Sequence, residues 1–392
     1  MRIVVVDAGN FTAHYDANLC HALAARGHQV SLDTSEFLFE RVRPLGGYEL
    51  RNRFFGLLQR RPILASRSAL RRALKAGLYP LEMLRWAASV GLEAPDVVHV
   101  QWSLLPFWDE RLLAYLQRRG SRVVLTVHDV EPLPDTGGTG VGSSRLYRQA
   151  DALIVHSDYS RRRLVSEFDV PGEKIHVVPL GGPGEYALPA TPSATAREQL
   201  GLEADAVYVL FFGLIKRHKG LDLLLDAFAE ARLHSPQLRL LVAGEPLQPW
   251  SQYEAQIARL DLGEAVDLHL HFVPSELLPV YFSAADLVAL PYRQTFQSGV
   301  ALAASAYARP VLATAVGGLA EMIEDGVTGF LVPPDDPDAL AAALTAAAAD
   351  PPRLRALGTA AARRAREEHG WDRIASLHEA IYRDAVAGPV PN

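Results

Sequence analysis

Short apolar runs recur along the chain, and few of them alternate with polar residues. Residues 3–6, 97–100, 123–127, 153–155 and 175–178 are rich in β-branched side chains and end in polar or turn-forming positions. An alternating strand buries one face. A strand without alternation buries both, as in a parallel sheet covered by helices. A second series follows at residues 207–212, 238–243, 266–270, 287–290, 311–313 and 330–332. The pattern predicts an α/β chain of two Rossmann-like, doubly wound parallel-sheet domains facing a cleft.

Turn formers divide the two series. Leu180-Gly-Gly-Pro-Gly184 and the Pro- and Ala-rich residues 188–196 read as the interdomain linker. The predicted domains are therefore 1–183 and 184–370. The segment 371–392 carries an amphipathic helical pattern and is expected to pack back on the first domain. Leu221, Leu224, Leu225 and Phe228 recur at helical spacing, with Asp222 and Asp226 on another face. This predicted helix follows directly on Lys219-Gly220.

Composition narrows the function classes. At 392 residues the chain has room for two cores, and 49% hydrophobic with 21% charged residues is a globular balance. A net charge of -6 gives no basic field for nucleic acid. Cys20 is the single cysteine, so the chain forms no internal disulfide and fits a reducing compartment. The opening apolar run is too short for a signal peptide, and the apolar residues 339–349 are too few for a membrane span. A cytoplasmic protein is expected.

In open α/β folds, ligands bind at the carboxyl ends of the strands, so the loops there hold the candidate chemistry. Lys216, Arg217, His218 and Lys219 lie between Gly213 and Gly220, after the run 207–212. Four cationic or titratable side chains flanked by glycines suit a polyphosphate, which needs charge neutralisation and close backbone approach. A second feature in the same domain supports this over a solvated turn. At Ser298-Gly299 a helix opens after a strand and a polar turn, offering unpaired N–H groups and the positive end of a helix dipole. Glu321, after Gly317-Gly318, reads either as an acceptor for ligand hydroxyls or as an ordinary helix-start glutamate.

In the first domain, Gly9-Asn10 and His128-Asp129 follow strands and are expected to face the cleft. His128 reads either as a group that orients a hydroxyl and stabilises transient charge, or as a satisfied structural histidine. His99, inside a strand, reads as structural. The 13 histidines form no paired motif with carboxylates, and Asp335-Asp336 reads as a solvated turn. No metal and no cofactor are expected, leaving Lys216, Lys219 and the helix dipole to stabilise a departing diphosphate. Between residues 51 and 85, nine basic residues face one acid, Glu82, and alternate with Phe and Leu. That segment reads either as a surface for anionic lipid or as a helical shell whose arginines lie over core leucines.

With these residues in hand, the chain resembles the retaining GT-B glycosyltransferases of family 4. The resemblance spans nearly the whole chain. It rests on Gly213-Leu-Ile-Lys-Arg-His-Lys-Gly220, Ser298-Gly299-Val300, Arg309-Pro-Val311, Gly317-Gly-Leu-Ala-Glu321 and Asp325-Gly-Val-Thr-Gly-Phe-Leu-Val-Pro-Pro334, with Val97-Val-His-Val-Gln-Trp102 and Thr126-Val-His-Asp129 in the first half. It implies that Lys216 and Lys219 hold a nucleotide diphosphate capped by the backbone of Ser298, Gly299 and Val300. By the same resemblance His128 lies near the donor sugar, Gly9 belongs to the loop at the reacting centre, the backbone at Val273 contacts the base, and Gly244 lies nearby; Asn10, next to Gly9, joins the expected substrate-binding residues. One departure stands out. Where the family commonly carries two glutamates eight positions apart, this chain has Thr295 at the donor-sugar position and Ala303 at the ribose position.

The function this implies is a metal-independent, retaining transfer of a hexose from a nucleotide diphosphate sugar to a hydroxyl of a glycan or lipid-linked acceptor. Such an enzyme serves cell-surface polysaccharide or glycoconjugate synthesis, with residues 51–85 touching an anionic membrane from the cytoplasmic side. Two alternatives stay open at this point: a non-catalytic GT-B partner that keeps the fold, and a sugar-nucleotide epimerase.

Overall fold

The computed structural model describes residues 1–37, 39–56, 69–131 and 143–388. These fall into two compact units. One comprises described residues up to 181 together with those from 371 onward, and the other comprises residues 182–370.

The first unit holds a seven-stranded parallel sheet, built from β1 (Arg2–Asp7), β2 (Gln29–Thr34), β3 (Glu49–Asn52), β4 (Val97–Val100), β5 (Arg122–Thr126), β6 (Ala152–Val155) and β7 (Ile175–Val177). Their order is β3-β2-β1-β4-β5-β6-β7. The second unit holds a six-stranded parallel sheet of β8 (Val207–Phe212), β9 (Leu238–Ala243), β10 (Val266–His269), β11 (Leu287–Leu290), β12 (Val311–Thr314) and β13 (Gly329–Val332), ordered β10-β9-β8-β11-β12-β13. In each sheet the strand order reverses once, between β1 and β4 and between β8 and β11. Loops leaving such neighbouring strands diverge to opposite faces and open a crevice at their carboxyl ends.

Two strands were not predicted. In β2, Gln-Val-Ser-Leu-Asp-Thr, polar and apolar residues alternate, yet Ser31, Asp33 and Thr34 are all buried. Two of them have hydrogen-bond partners: one Asp33 oxygen accepts from the Trp86 indole at 2.8 Å, and the Thr34 hydroxyl donates to the Asp7 carbonyl at 2.7 Å. Strand β3 is a short edge, largely exposed. The expected linker also ends differently. Its Ala-rich part begins the helix Ser193–Leu200, whose buried Arg197 pairs with Asp286 at 2.7 Å.

The last helix, Trp371–Ala387, packs within the first unit. Ile374, Ala375, Ile381 and Tyr382 join the core formed by Ile3, Val5, Leu19 and Val97. The Tyr382 hydroxyl lies 2.7 Å from Nδ1 of the buried His99, whose Nε2 meets the Thr126 hydroxyl at 2.7 Å. No helix among the described residues is long and apolar enough to cross a membrane.

Candidate active site

At the crevice of the second sheet, the loop after β8 turns through a short 3₁₀ helix, Arg217–Lys219, and enters the helix Leu221–His234. The turn is clamped from below. Arg293 forms a bidentate pair with Asp222 at 2.8 Å on each arm, a third bond to Asp335 at 3.1 Å, and backbone bonds to the carbonyls of Arg217 and His218. Arg293 carries no strong signal in the sequence, and Asp335, read there as solvated, serves as its second counter-ion.

The clamped loop aims Lys219 at the start of the helix Gly299–Ala306. A Cβ at Gly213 would stand 3.2 Å from Lys219 Nζ and 3.7 Å from Val300, and a Cβ at Gly244 would strike the Gly213 carbonyl at 2.0 Å. Gly213 and Gly244 let two loops touch beside the ammonium. Lys219 Nζ also lies 5.6 Å from the centre of the Tyr292 ring. Tyr292 bonds Ser298, and Ser298 Oγ accepts from the Ala301 amide at 3.2 Å, capping the helix. Burial, with Lys216 nearby, pushes the Lys219 ammonium down to about 8. A buried cation with a like-charged neighbour is costly to hold, and an anion would relieve that cost.

The second sheet therefore gathers Lys219, Gly244, Ser298, Gly299 and Val300, with Lys216 opening the same turn. The Thr295 hydroxyl is turned inward onto the Gln297 carbonyl at 2.6 Å. Val273 is buried in the core of the unit, and Glu321 is exposed on the separate short helix Leu319–Met322.

In the first unit, His128 follows β5 and is buried. Its Nε2 lies 3.0 Å from Gln101 Oε1 and its Nδ1 lies 3.3 Å from His156 Nε2. The ring stacks on Trp102 at 4.8 Å, and Tyr15 meets it edge-on at 5.5 Å. Burial holds the imidazole well below its ordinary value, with His156 adding to the effect, so the ring is neutral at physiological pH. The loop after β1 is fastened to this cluster. Asp7 accepts from the amides of Phe11 and Thr12 at 2.6 and 3.2 Å, and the Trp102 indole donates to the Thr12 hydroxyl at 3.2 Å. Gly9 packs so close to the Phe11 ring that a Cβ would sit 2.1 Å from it. Asn10, in the left-handed region at φ 54°, donates to the Ser35 carbonyl at 2.5 Å. Gln101 and Trp102 end the motif Val97-Val-His-Val-Gln-Trp102, and the sequence alone marks neither for a role. His156 was missed altogether, since only the fold brings the end of β6 beside the end of β5.

Comparison with known proteins now decides the family. A model described as Glycosyl transferases group 1 matches residues 206–350, and one described as Glycosyltransferase Family 4 matches residues 13–181. The chain is 36% identical over 317 residues to the D-inositol 3-phosphate glycosyltransferase of Kineococcus radiotolerans, covering 74% of this chain and 72% of that protein. The chain belongs to glycosyltransferase family 4. A relative of the same name from Corynebacterium aurimucosum is 32% identical, with 76% and 73% coverage. The fold is similar to that of sucrose-phosphate synthase from Thermosynechococcus elongatus, with TM-score 0.76 at 24% identity over 98% of each chain. It is also similar to HepE of Anabaena, solved with UDP and glucose, with TM-score 0.69 at 19% identity over 98% of this chain and 100% of that one. These are GT-B folds, and this glycosyltransferase shares their two parallel-sheet domains.

The basic segment of this family 4 chain is partly corrected by the structure. Arg51 and Arg53 both pair with Glu93 at 2.9 Å and lie within 4.0 Å and 3.7 Å of Asp33. Glu49 also pairs with Arg51 at 2.6 Å, so the two arginines are ion-pair partners of three acids outside the window 51–85. Arg60, Arg61 and Arg67 lie outside the described residues, as do the side chains of Arg71 and Arg72. Exposed Leu81, Leu84 and Arg85 remain on the helix Ala69–Glu93.

Proposed function

We propose that this glycosyltransferase moves a hexose, with retention and without a metal, from a nucleotide diphosphate sugar to a hydroxyl of a glycan, a lipid-linked sugar or a similar polyol. The observation that carries the reading is the Lys219 ammonium packed beside Gly213 and the Tyr292 ring at the crevice of the second sheet, in the same cluster as Val300 and the Ser298-capped helix start. Lys216 and Lys219 neutralise the diphosphate, and the helix start caps it. Gly244 and Val273 border the nucleoside, and Thr295 and Glu321 lie on the sugar side. In the first unit, Gly9, Asn10 and a neutral His128 are the groups suited to sugar recognition.

In the reaction the acceptor oxygen bonds to the anomeric carbon on the face that the phosphate leaves. The carbon–oxygen bond to the diphosphate breaks with its electron pair passing to phosphate, and the acceptor proton moves to that phosphate oxygen. Inositol phosphate, named in the relatives, belongs among the acceptors to be tried. The exposed face of the helix Ala69–Glu93 serves for contact with an anionic bilayer on the cytoplasmic side.

The test incubates the purified chain with UDP-, GDP- and ADP-sugars, with and without acceptors, and measures nucleotide release and the anomer formed. One active donor with a retained anomer is the expected result. Binding without release under every condition would favour a non-catalytic partner, the reading that Thr295 and Ala303 favour by removing two carboxylates.

A further inference from the structure

Val178, His156, His128 and Gln101 form one chain of hydrogen-bonding groups inside the first unit. The Val178 carbonyl lies 2.9 Å from His156 Nδ1, His156 Nε2 lies 3.3 Å from His128 Nδ1, and His128 Nε2 lies 3.0 Å from Gln101 Oε1. Gln101 is oriented from behind. Its amide nitrogen lies 3.5 Å from His99 Nδ1, which also meets the Tyr382 hydroxyl at 2.7 Å, so its oxygen is left for His128. Both ends of the chain are therefore carbonyl oxygens, which only accept.

The protons can be counted. An imidazole nitrogen that faces a carbonyl must carry an N–H, so His156 is protonated on Nδ1 and His128 on Nε2. Neutral rings have one N–H each, and both are now used. The nitrogens that face each other at 3.3 Å are then two lone pairs. A hydrogen bond between them needs a third proton, and a fourth would set N–H against N–H. Two histidines between two carbonyls thus have room for one added proton.

The surroundings bear on that proton from several elements. Tyr15, on the helix Ala13–Ala25, lies 5.5 and 5.7 Å from the two rings, edge-on to both, and Trp102 covers His128. Burial first, and then His156, His99 on β4 and His378 on the last helix, weigh against a full charge on His128. Sharing the proton across two rings spreads that charge. Asp129 and Asp158 follow the two histidines by one and two positions, and a carboxylate close by favours the proton.

We propose that His128 and His156 form a proton-sharing pair: Gln101 and Val178 fix the rings as Nε2–H and Nδ1–H tautomers, and the facing nitrogens take up one proton from solvent on acidification. His156 thereby acts through His128, as a positioning residue that sets the acid limit of the reaction. The neutral pair is the working form, because a cation next to the sugar opposes the positive charge that develops at its anomeric carbon. This last step rests on the transferase reading; the tautomers and the proton count do not.

Nitrogen NMR of isotope-labelled histidines in the full chain, from about pH 8 to about pH 5, tests the pair without turnover. His156→Gln and His128→Gln assign the two rings, and thermal melting checks that both variants fold. At the alkaline end His128 is expected as the Nε2–H tautomer and His156 as the Nδ1–H tautomer. On acidification the rings should titrate in one shared step, each facing nitrogen moving about halfway from lone pair to N–H. In His156→Gln that step should vanish, and the acid fall of kcat should move down by about one pH unit, about tenfold in activity on that flank. His128 found as the Nδ1–H tautomer overturns the proposal, since Gln101 would then present its NH₂ group and no third proton would be needed. Two independent titration steps overturn it as well, and an acid fall that His156→Gln leaves in place overturns the positioning role. Absence of nucleotide release with every donor would instead count against the transferase reading and leave the NMR result to stand alone.

Discussion

The two units hold their candidate residues in opposite electrostatic states. In the second, the Lys219 ammonium is kept partly dehydrated beside Gly213 and the Tyr292 ring, with Lys216 adding like charge. In the first, His128 is sealed between Trp102, Tyr15 and His156 and held neutral. A fixed diphosphate is best gripped by charge, whereas a sugar is best oriented by rigid, uncharged groups. Under the proposed function, charge suits the second unit to gripping a diphosphate, and rigid neutral groups suit the first to meeting a sugar.

The largest expected effect is on the neutral side. His128→Ala should lower kcat by about 10²-fold or more, the scale of a positioned catalytic group, while calorimetry finds nucleotide affinity nearly intact. An equal loss of affinity would erase the distinction between the units. On the charged side, Lys219→Ala should weaken nucleotide-sugar binding by about 1.5–3 kcal/mol, the scale of a charged hydrogen bond, and should affect kcat less.

A smaller effect follows from pH. Lys219 is held at about 8 against an ordinary 10.5, so between these values the folded free protein has released a proton that the unfolded chain keeps. Stability from this group therefore rises with pH across that window. Nucleotide binding needs the ammonium, so it should weaken as pH climbs past 8. Calorimetry at pH 9 in buffers of different ionisation enthalpy should show proton uptake on binding; no uptake would place the phosphates away from Lys219. The smallest effect concerns the membrane face. Arg85→Gln should reduce binding to anionic vesicles at low salt, by less than about 1 kcal/mol for one exposed cation, and unchanged binding would return this helix to a structural role.

Much of this contrast was legible in the sequence because both sheets bury their strands on two faces. Continuous apolar runs announced β1, β4 and the strands of the second unit. β2 escaped because its polar residues are buried by partners remote in sequence, such as Trp86 for Asp33. The charged loop could be read because glycines, cations and a helix start lie in short segments. Its clamp could not, since Arg293 reaches Asp222 across 71 positions. Likewise the neutrality of His128 comes from burial first and from His156 second, in surroundings that only parallel pairing of β4, β5 and β6 assembles. The basic segment misled for a related reason: a count over residues 51–85 omits Asp33, Glu49 and Glu93, the acids that pair with Arg51 and Arg53.

The central claim is that the crevice of the second sheet receives the paired phosphates of a sugar nucleotide. A crystal structure with a nucleotide diphosphate sugar tests it most directly. The account predicts phosphate oxygens within hydrogen-bond reach of Lys219 Nζ and of the amides at Ser298–Val300. Phosphates bound elsewhere, with Lys216 and Lys219 turned to solvent, would contradict it.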